Sequence, residues 1–148
     1  MRDARWTAAL VFLLLAGGMA RADLRRAMAE PNLERRSGLA LLNAAEALKA
    51  ARAAYDKGDN EEVAKDAEEI LASVELASTS LTESGKNPRR SEWFKKAEIS
   101  TRDLSRRIES FQEQMSYMDR PMLDKVKARV QQVHDELLLG VMEGKKKK

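Results

Sequence analysis

Apolar side chains recur along the chain at alternating intervals of three and four residues. The clearest series contains one polar member, Thr101, and comprises Phe94, Ala97, Thr101, Leu104, Ile108, Phe111, Met115 and Met118. Three further series keep the same spacing: Leu41, Ala44, Leu48, Ala51 and Tyr55; Val63, Ala67, Ile70, Val74, Ala77 and Leu81; and Leu123, Val126, Val130, Val133 and Leu137. Because this alternation is typical of the seam in coiled-coil-like packing, it predicts four helices, each with a narrow apolar stripe.

Short polar segments separate the four series, and each contains a residue suited to begin a helix. Asp59 is predicted to cap the second helix, with Glu62 placed to complete a capping box. Ser91 is predicted to cap the third helix. Asp119 is predicted to cap the fourth, with Pro121 in its first turn. These signals therefore predict where three of the four helices begin.

The lengths of the helices and of their links predict an all-α fold. Pro31 disfavours helical geometry at Glu30, so residues 23–30 are expected to form a separate lead-in. The helices are then expected at about 31–57, 60–83, 91–117 and 120–143. Short links give antiparallel neighbours, so residues 23–144 are predicted to form one up-down-up-down four-helix bundle domain. The alternatives are two helical hairpins that do not close on each other, or a dimer that completes the bundle.

Residues 1–22 have the pattern of an export signal. Arg2 and Arg5 precede an apolar run, Ala8–Ala16, and a small-x-small cleavage site ends at Ala22. A second cleavage site ends at Ala20, and an uncleaved N-terminal anchor is the alternative. The sequence thus predicts a bacterial protein that is periplasmic or secreted, with no transmembrane segment after signal cleavage.

The formal net charge of +3 is concentrated at the two ends of the chain. Residues 1–22 carry Arg2, Arg5 and Arg21 against Asp3, and Lys145–Lys148 follow Gly144 as a tail that is predicted to be disordered. The body between them is therefore slightly acidic, and its net charge gives no support to nucleic-acid binding.

Residue types exclude several kinds of chemistry. The absence of cysteine excludes disulfides, thiol nucleophiles, iron–sulfur clusters and covalently attached haem. The single histidine, His134, has Gln131 three residues before it, so the Glu-x-x-His pairs of a di-iron bundle are absent. Ser84-Gly85-Lys86 lacks the upstream glycine of a phosphate-binding loop. We therefore predict that the protein is not an enzyme and has no metal or cofactor.

Two short strings resemble known families. The string from Tyr55 through Gly58 and Asp59 to Val63 resembles the Y-x-x-G-D turn of tetratricopeptide repeats, which implies an adaptor function. Residues 22–28 are similar to the start of the periplasmic b-type four-helix-bundle cytochromes. That family implies haem ligation by Met28 and His134, and a redox or carrier function. The whole chain resembles small exported bacterial four-helix-bundle proteins, a resemblance that implies no activity.

The remaining candidate site lies where a loop enters the third helix. We call it the basic cluster, and its residues are Arg89, Arg90, Ser91, Trp93, Lys95 and Lys96. The unpaired N–H groups and the dipole at a helix start favour an anion, and Trp93 adds a flat face. We expect an exported binding or structural protein whose partner is a protein or an anionic envelope component. The haem carrier and the tetratricopeptide-like adaptor are the alternatives.

Overall fold

The prediction of an all-α four-helix bundle is confirmed by a computed structural model, which describes residues 23–144. Within this range the helices are α1 (Arg25–Met28), α2 (Leu33–Asp56), α3 (Asn60–Glu83), α4 (Glu92–Gln114) and α5 (Asp124–Glu143), with a 3₁₀ turn at Arg120–Leu123, and there is no strand. The predicted export signal and lysine tail lie outside the described residues. No helix within residues 23–144 is both long enough and apolar enough to cross a bilayer.

The apolar series form the core. Every member of the series that begin at Val63 and at Leu123 is buried, and the series that begins at Phe94 is buried as far as Met115. Met118, which was predicted to continue that series, is 82% exposed because α4 ends at Gln114 and Met115 has extended backbone geometry. Tyr55, the last member of the series that begins at Leu41, is only partly buried. Periodicity therefore identified the buried faces and failed only at the last members of two series, Tyr55 and Met118.

The starts of the helices match the sequence in part. Asp59 caps α3, since its carboxylate accepts a hydrogen bond from the Glu62 amide at 3.0 Å. Asn32, which the sequence analysis did not identify, caps α2 in the same way by accepting from the Arg35 amide at 2.9 Å. Ser91 stands at the N-cap position of α4 but makes no capping hydrogen bond.

Asp119 does not cap a helix either, because its carboxylate has other partners. It accepts hydrogen bonds from the Tyr55 hydroxyl at 3.0 Å and from the Ser116 hydroxyl at 2.7 Å. The Tyr55 hydroxyl also accepts from the Ser116 amide at 2.8 Å. The end of α2 is thereby fastened to the link between α4 and α5. Pro121, which was predicted in the first turn of the fourth helix, lies in the 3₁₀ turn that immediately precedes α5.

Helices α2 and α3 form one antiparallel hairpin, and α4 and α5 form the other. Asn43 of α2 donates to Ser73 of α3 at 2.9 Å, and Ser105 of α4 donates to Gln131 of α5 at 3.0 Å. The two hairpins pack against each other in the same orientation. Helix α2 therefore lies beside α4 and α3 lies beside α5, and the two helices of each of these pairs run in the same direction. Consecutive helices α3 and α4 thus occupy diagonal corners, although helix directions alternate along the chain.

The predicted lead-in is a separate element, α1, which packs against α2. The Leu24 amide donates to the Glu69 carboxylate at 3.0 Å, and the Asn43 side chain donates to the same oxygen at 2.8 Å. Ala27 is buried beneath this segment. The first residues after the predicted cleavage site are therefore held by a partly buried polar group of α3.

Candidate binding surface

The basic cluster does not form one pocket, because its residues turn to different surroundings. Arg89 and Arg90 are exposed in the loop between α3 and α4. Asn87 shapes this loop, since its carbonyl accepts from the amides of Arg90 and Ser91, each at 3.0 Å. The side chain of Lys95 is paired with Glu92 at 3.1 Å. Only part of the predicted cluster therefore shares a common surface.

Ser91 has a structural role instead of offering a free helix start. Its hydroxyl donates to the carboxylate of Glu34 on α2 at 2.9 Å. This hydrogen bond joins the first turns of the two parallel helices α2 and α4. Ser91 therefore stands at the predicted N-cap position, but its side chain makes no capping hydrogen bond and instead donates to a carboxylate from a distant part of the chain.

Trp93 lies across α2 at Gly38. An ideal Cβ built on Gly38 would stand 2.7 Å from Cζ3 of the indole, a separation that real side chains do not adopt. The absence of a side chain at this position lets the ring lie directly on the helix backbone. The ammonium group of Lys96 stands 5.1 Å from the Trp93 ring centroid, which is a cation–π distance. Trp93 and Lys96 are thus the members of the basic cluster that come together.

These two residues lie at one end of an open groove between α2 and α4, which we call the α2/α4 groove. Its lining residues are Ser37, Gly38, Leu41, Leu42 and Ala45 from α2, and Trp93, Lys96, Ala97, Ile99, Ser100, Asp103, Leu104 and Arg107 from α4. Two adjoining hollows of about 290 and 180 Å³ make up the groove, and they share Gly38, Leu41 and Ser100. Small residues therefore form part of its floor.

Large apolar side chains are exposed along this groove. Leu42 is 61% exposed and Ile99 is 53% exposed. The sequence analysis missed both residues, because each lies outside the apolar series of its own helix. The only sign of exposure in the sequence was a large aliphatic side chain on an otherwise polar helix face. The two residues are 57 positions apart, so the sequence did not indicate that they share a surface.

His134 is buried beside the apolar series of α5. It is 9% exposed, and its Nδ1 lies 3.5 Å from the Thr101 hydroxyl and 3.8 Å from a carboxylate oxygen of Glu98. Met28 belongs to α1 and is 59% exposed. The described contacts place the two predicted haem ligands on different elements and do not join them. Within residues 23–144 no group of three or more acidic or histidine side chains could hold a metal ion.

The opposite parallel pair, α3 and α5, is closed by ion pairs. Arg129 of α5 donates from Nε to one carboxylate oxygen of Glu75 on α3, and from Nη2 to the other at 3.0 Å. These hydrogen bonds lower the pKa of Glu75 and raise the pKa of Arg129. Lys125 of α5 also pairs with Glu68 of α3, with 3.7 Å between the Lys125 ammonium nitrogen and a carboxylate oxygen of Glu68. Ion pairs therefore bridge the outer edge of α3 and α5 above their buried apolar residues, whereas Leu42 and Ile99 remain exposed on the α2/α4 side.

Comparison with known proteins gives no relative from which a function could be transferred. No protein-family model, curated protein or solved structure matches the chain. The geometry of the α2/α4 groove and of its neighbouring charges is therefore the basis for assigning a function.

Proposed function

We propose that this chain is an exported, non-enzymatic helical-bundle protein that acts by binding a partner in the α2/α4 groove. The observation that carries the proposal is the exposure of Leu42 and Ile99 beside the partly buried Trp93. An exposed apolar group that is rimmed by polar side chains is typical of an interaction site. The groove offers apolar contact and positive charge, which suits binding better than catalysis.

Surrounding charges support an anionic partner. Lys96 stands over Trp93, while Arg89 and Arg90 are exposed in the loop just before α4. These side chains lie in water, so their attraction for an anion would fall as salt concentration rises. Of the basic cluster, Lys96 would then act as the charged border at one end of the groove.

Site-specific photo-crosslinking tests the binding function. A photoreactive amino acid at Ser100, which lines the groove, is compared with one at Ala72, which is exposed on α3. In cells that make the protein naturally, we expect adducts from position 100 that mass spectrometry resolves into this chain and a second component, and none from position 72. An equal yield at the two positions, or none at either, contradicts the proposal.

Export is a separate part of the proposal and has its own test. The support for it is the small-x-small site that ends at Ala22. Protein recovered from an exporting host should have an intact mass that corresponds to a chain beginning at Asp23. Recovery of full-length chain from the membrane fraction would instead indicate an uncleaved anchor.

The haem carrier and the tetratricopeptide-like adaptor remain predictions from resemblance. Titration with haem, followed by absorbance, distinguishes a carrier from the function proposed above. A sharp Soret band that is lost in both Met28→Ala and His134→Ala would favour the carrier.

A further inference from the structure

We propose that the partner bound in the α2/α4 groove is an amphipathic α-helix with an apolar stripe and acidic flanks, supplied by another polypeptide. This inference rests on the proposed function and specifies the chemistry of the partner. Amphipathic helices dock in grooves by inserting apolar anchors at intervals of three and four residues.

The groove has the length and floor that a helix requires. Its lining residues on α4 run from Trp93 to Arg107, which corresponds to about 21 Å at about 1.5 Å per residue, or four helical turns. The α2 side of the floor contains Ala45, whose small side chain lets a partner backbone approach closely, while the Trp93 ring covers Gly38 at one end of the groove. Leu42 and Ile99 stand as exposed apolar contacts for the stripe of the incoming helix.

The residues that line the groove include two cations and one carboxylate, and Lys96 is the cation that the described ion pairs leave unpaired. Lys96 and Arg107 line it directly, and the one carboxylate among the lining residues, Asp103, lies 3.8 Å from a guanidinium nitrogen of Arg107. Lys96 is exposed and stacks on Trp93 without a carboxylate partner among the described ion pairs. The edges therefore favour carboxylates on the flanks of the bound helix.

Charges beyond the lining residues continue this preference along α2. Lys49 follows Ala45 by four positions and Arg52 by seven, so both continue the same helix face. Arg52 lies over the Phe111 ring of α4, with its guanidinium carbon 5.4 Å from the ring centroid. Glu46, four positions after Leu42, opposes them with one negative charge. Cations still outnumber carboxylates along this edge.

The same features argue against the other occupants. A second copy would bring an equally positive groove against this one, and like charges that face each other across an interface are unfavourable. A flat bilayer cannot fill a groove whose small floor residues lie between two helices. An anionic glycan would pair with Lys96 but leave Leu42 and Ile99 in water. An acidic amphipathic helix matches both the apolar and the charged parts.

Binding of designed peptides tests the proposal. The first probe is a fluorescein-labelled 15-residue helical peptide with leucines at three- and four-residue spacing and glutamates on both flanks. The second peptide has the same apolar stripe with lysines replacing the glutamates. Anisotropy is measured with protein from an exporting host, and far-UV circular dichroism confirms that each variant remains folded.

Charge reversal in the groove supplies the decisive comparison. We expect the acidic peptide to bind at least tenfold more tightly than the basic one, and Lys96→Glu/Arg107→Glu to reverse this order. The matched control is Lys65→Glu/Lys125→Glu, two exposed cations on α3 and α5, which should leave the order unchanged. Leu42→Ser/Ile99→Ser should weaken both peptides about equally, because it removes the apolar contacts without changing charge.

The outcomes separate this inference from the proposed function. Adducts at position 100 combined with no binding of the acidic peptide would overturn the inference and leave the binding function standing. Equal binding of both peptides would also overturn it, since charge would then play no part. Sedimentation with anionic phospholipid vesicles that is abolished by Leu42→Ser/Ile99→Ser, without peptide binding, would assign the groove to a membrane and overturn the helix. No adducts and no peptide binding would remove both proposals.

Discussion

Substitution of Gly38 by alanine should destabilise the protein although it improves helix propensity. Alanine in a helix interior is favoured over glycine by about 0.8–1 kcal/mol. At Gly38, however, the added methyl group would stand 2.7 Å from Cζ3 of Trp93, whereas carbon atoms prefer about 3.5–4.0 Å. The ring must move away from α2, and overpacking of this kind costs about 1–3 kcal/mol. We expect a net loss of about 1 kcal/mol in the free energy of unfolding.

The effect of Gly38→Ala on the free energy of unfolding should have the opposite sign when the Trp93 indole is absent. In a Trp93→Ala background nothing obstructs the new methyl group, so Gly38→Ala should stabilise that variant by about 0.8–1 kcal/mol through propensity alone. The four proteins form a double-mutant cycle, in which the interaction between the two sites is expected to be about 1–3 kcal/mol. Urea unfolding followed by far-UV circular dichroism gives each free energy.

Gly140→Ala is the matched control for this cycle. Gly140 also lies within a helix, but its new methyl group would meet Pro88 at 3.3 Å, a milder contact. We expect a smaller loss than at Gly38, or a gain. If Gly38→Ala stabilises the protein equally with and without Trp93, the ring does not lie on α2, and the parallel packing of α2 against α4 is refuted.

Three further substitutions test other parts of the fold. Thr101 is fully buried, so Thr101→Leu should overpack the core and lower the free energy of unfolding by about 1–3 kcal/mol; a change under about 0.5 kcal/mol would mean that this face is not buried. Tyr55→Phe removes the hydrogen bond to Asp119 and should cost about 1–3 kcal/mol, with faster amide exchange confined to the link before α5; unchanged exchange there would contradict the contact. Glu75→Gln removes a carboxylate whose pKa is lowered by Arg129, so the loss of at most about 1 kcal/mol at pH 7 should disappear as the pH falls below the ordinary glutamate range; a loss that persists in acid would refute this assignment.

Periodicity predicted the buried face of each helix because the spacing of apolar side chains reports helix geometry directly. Val63, Ile70 and Val74 are buried, as their positions in one apolar series predict. Local signals also succeeded where the interaction was local, as at Asp59, whose carboxylate reaches an amide three residues away. Fold class and the α3 cap were therefore accessible from the sequence.

Long-range polar partners were not accessible. Ser91 and Asp119 both have the residue type of a cap, but Ser91 donates to Glu34 and Asp119 accepts from Tyr55. These partners lie 57 and 64 positions away along the chain, and nothing local distinguishes a serine or an aspartate that caps from one that pairs across helices. The burial of His134 was likewise inaccessible from the sequence, since it depends on the helix that α5 packs against.

The lateral order of the helices was also beyond the sequence. An apolar stripe shows which face of a helix is covered but not which helix covers it. The contact of Trp93 with Gly38 joins two parallel helices that are not consecutive in the chain. The basic cluster was predicted from residues that lie close together in the sequence. In the structure these residues separate, because Trp93 and Lys96 face α2 while Arg89 and Arg90 remain in the loop. Leu42 and Ile99 came together only through this packing.

The two parallel helix pairs of the bundle differ in how their outer edges are closed, and this difference favours a functional groove. Between α3 and α5, Glu75 is held by Arg129 across the interface. Between α2 and α4 the described residues form no ion pair, and Leu42 and Ile99 stay in water. Burial of apolar surface is worth about 25 cal/mol per Å², so a partner that covered these two side chains would gain free energy by removing them from water. Their exposure beside Lys96 is explained if a partner covers them, which is the state that the peptide and crosslinking experiments are designed to detect.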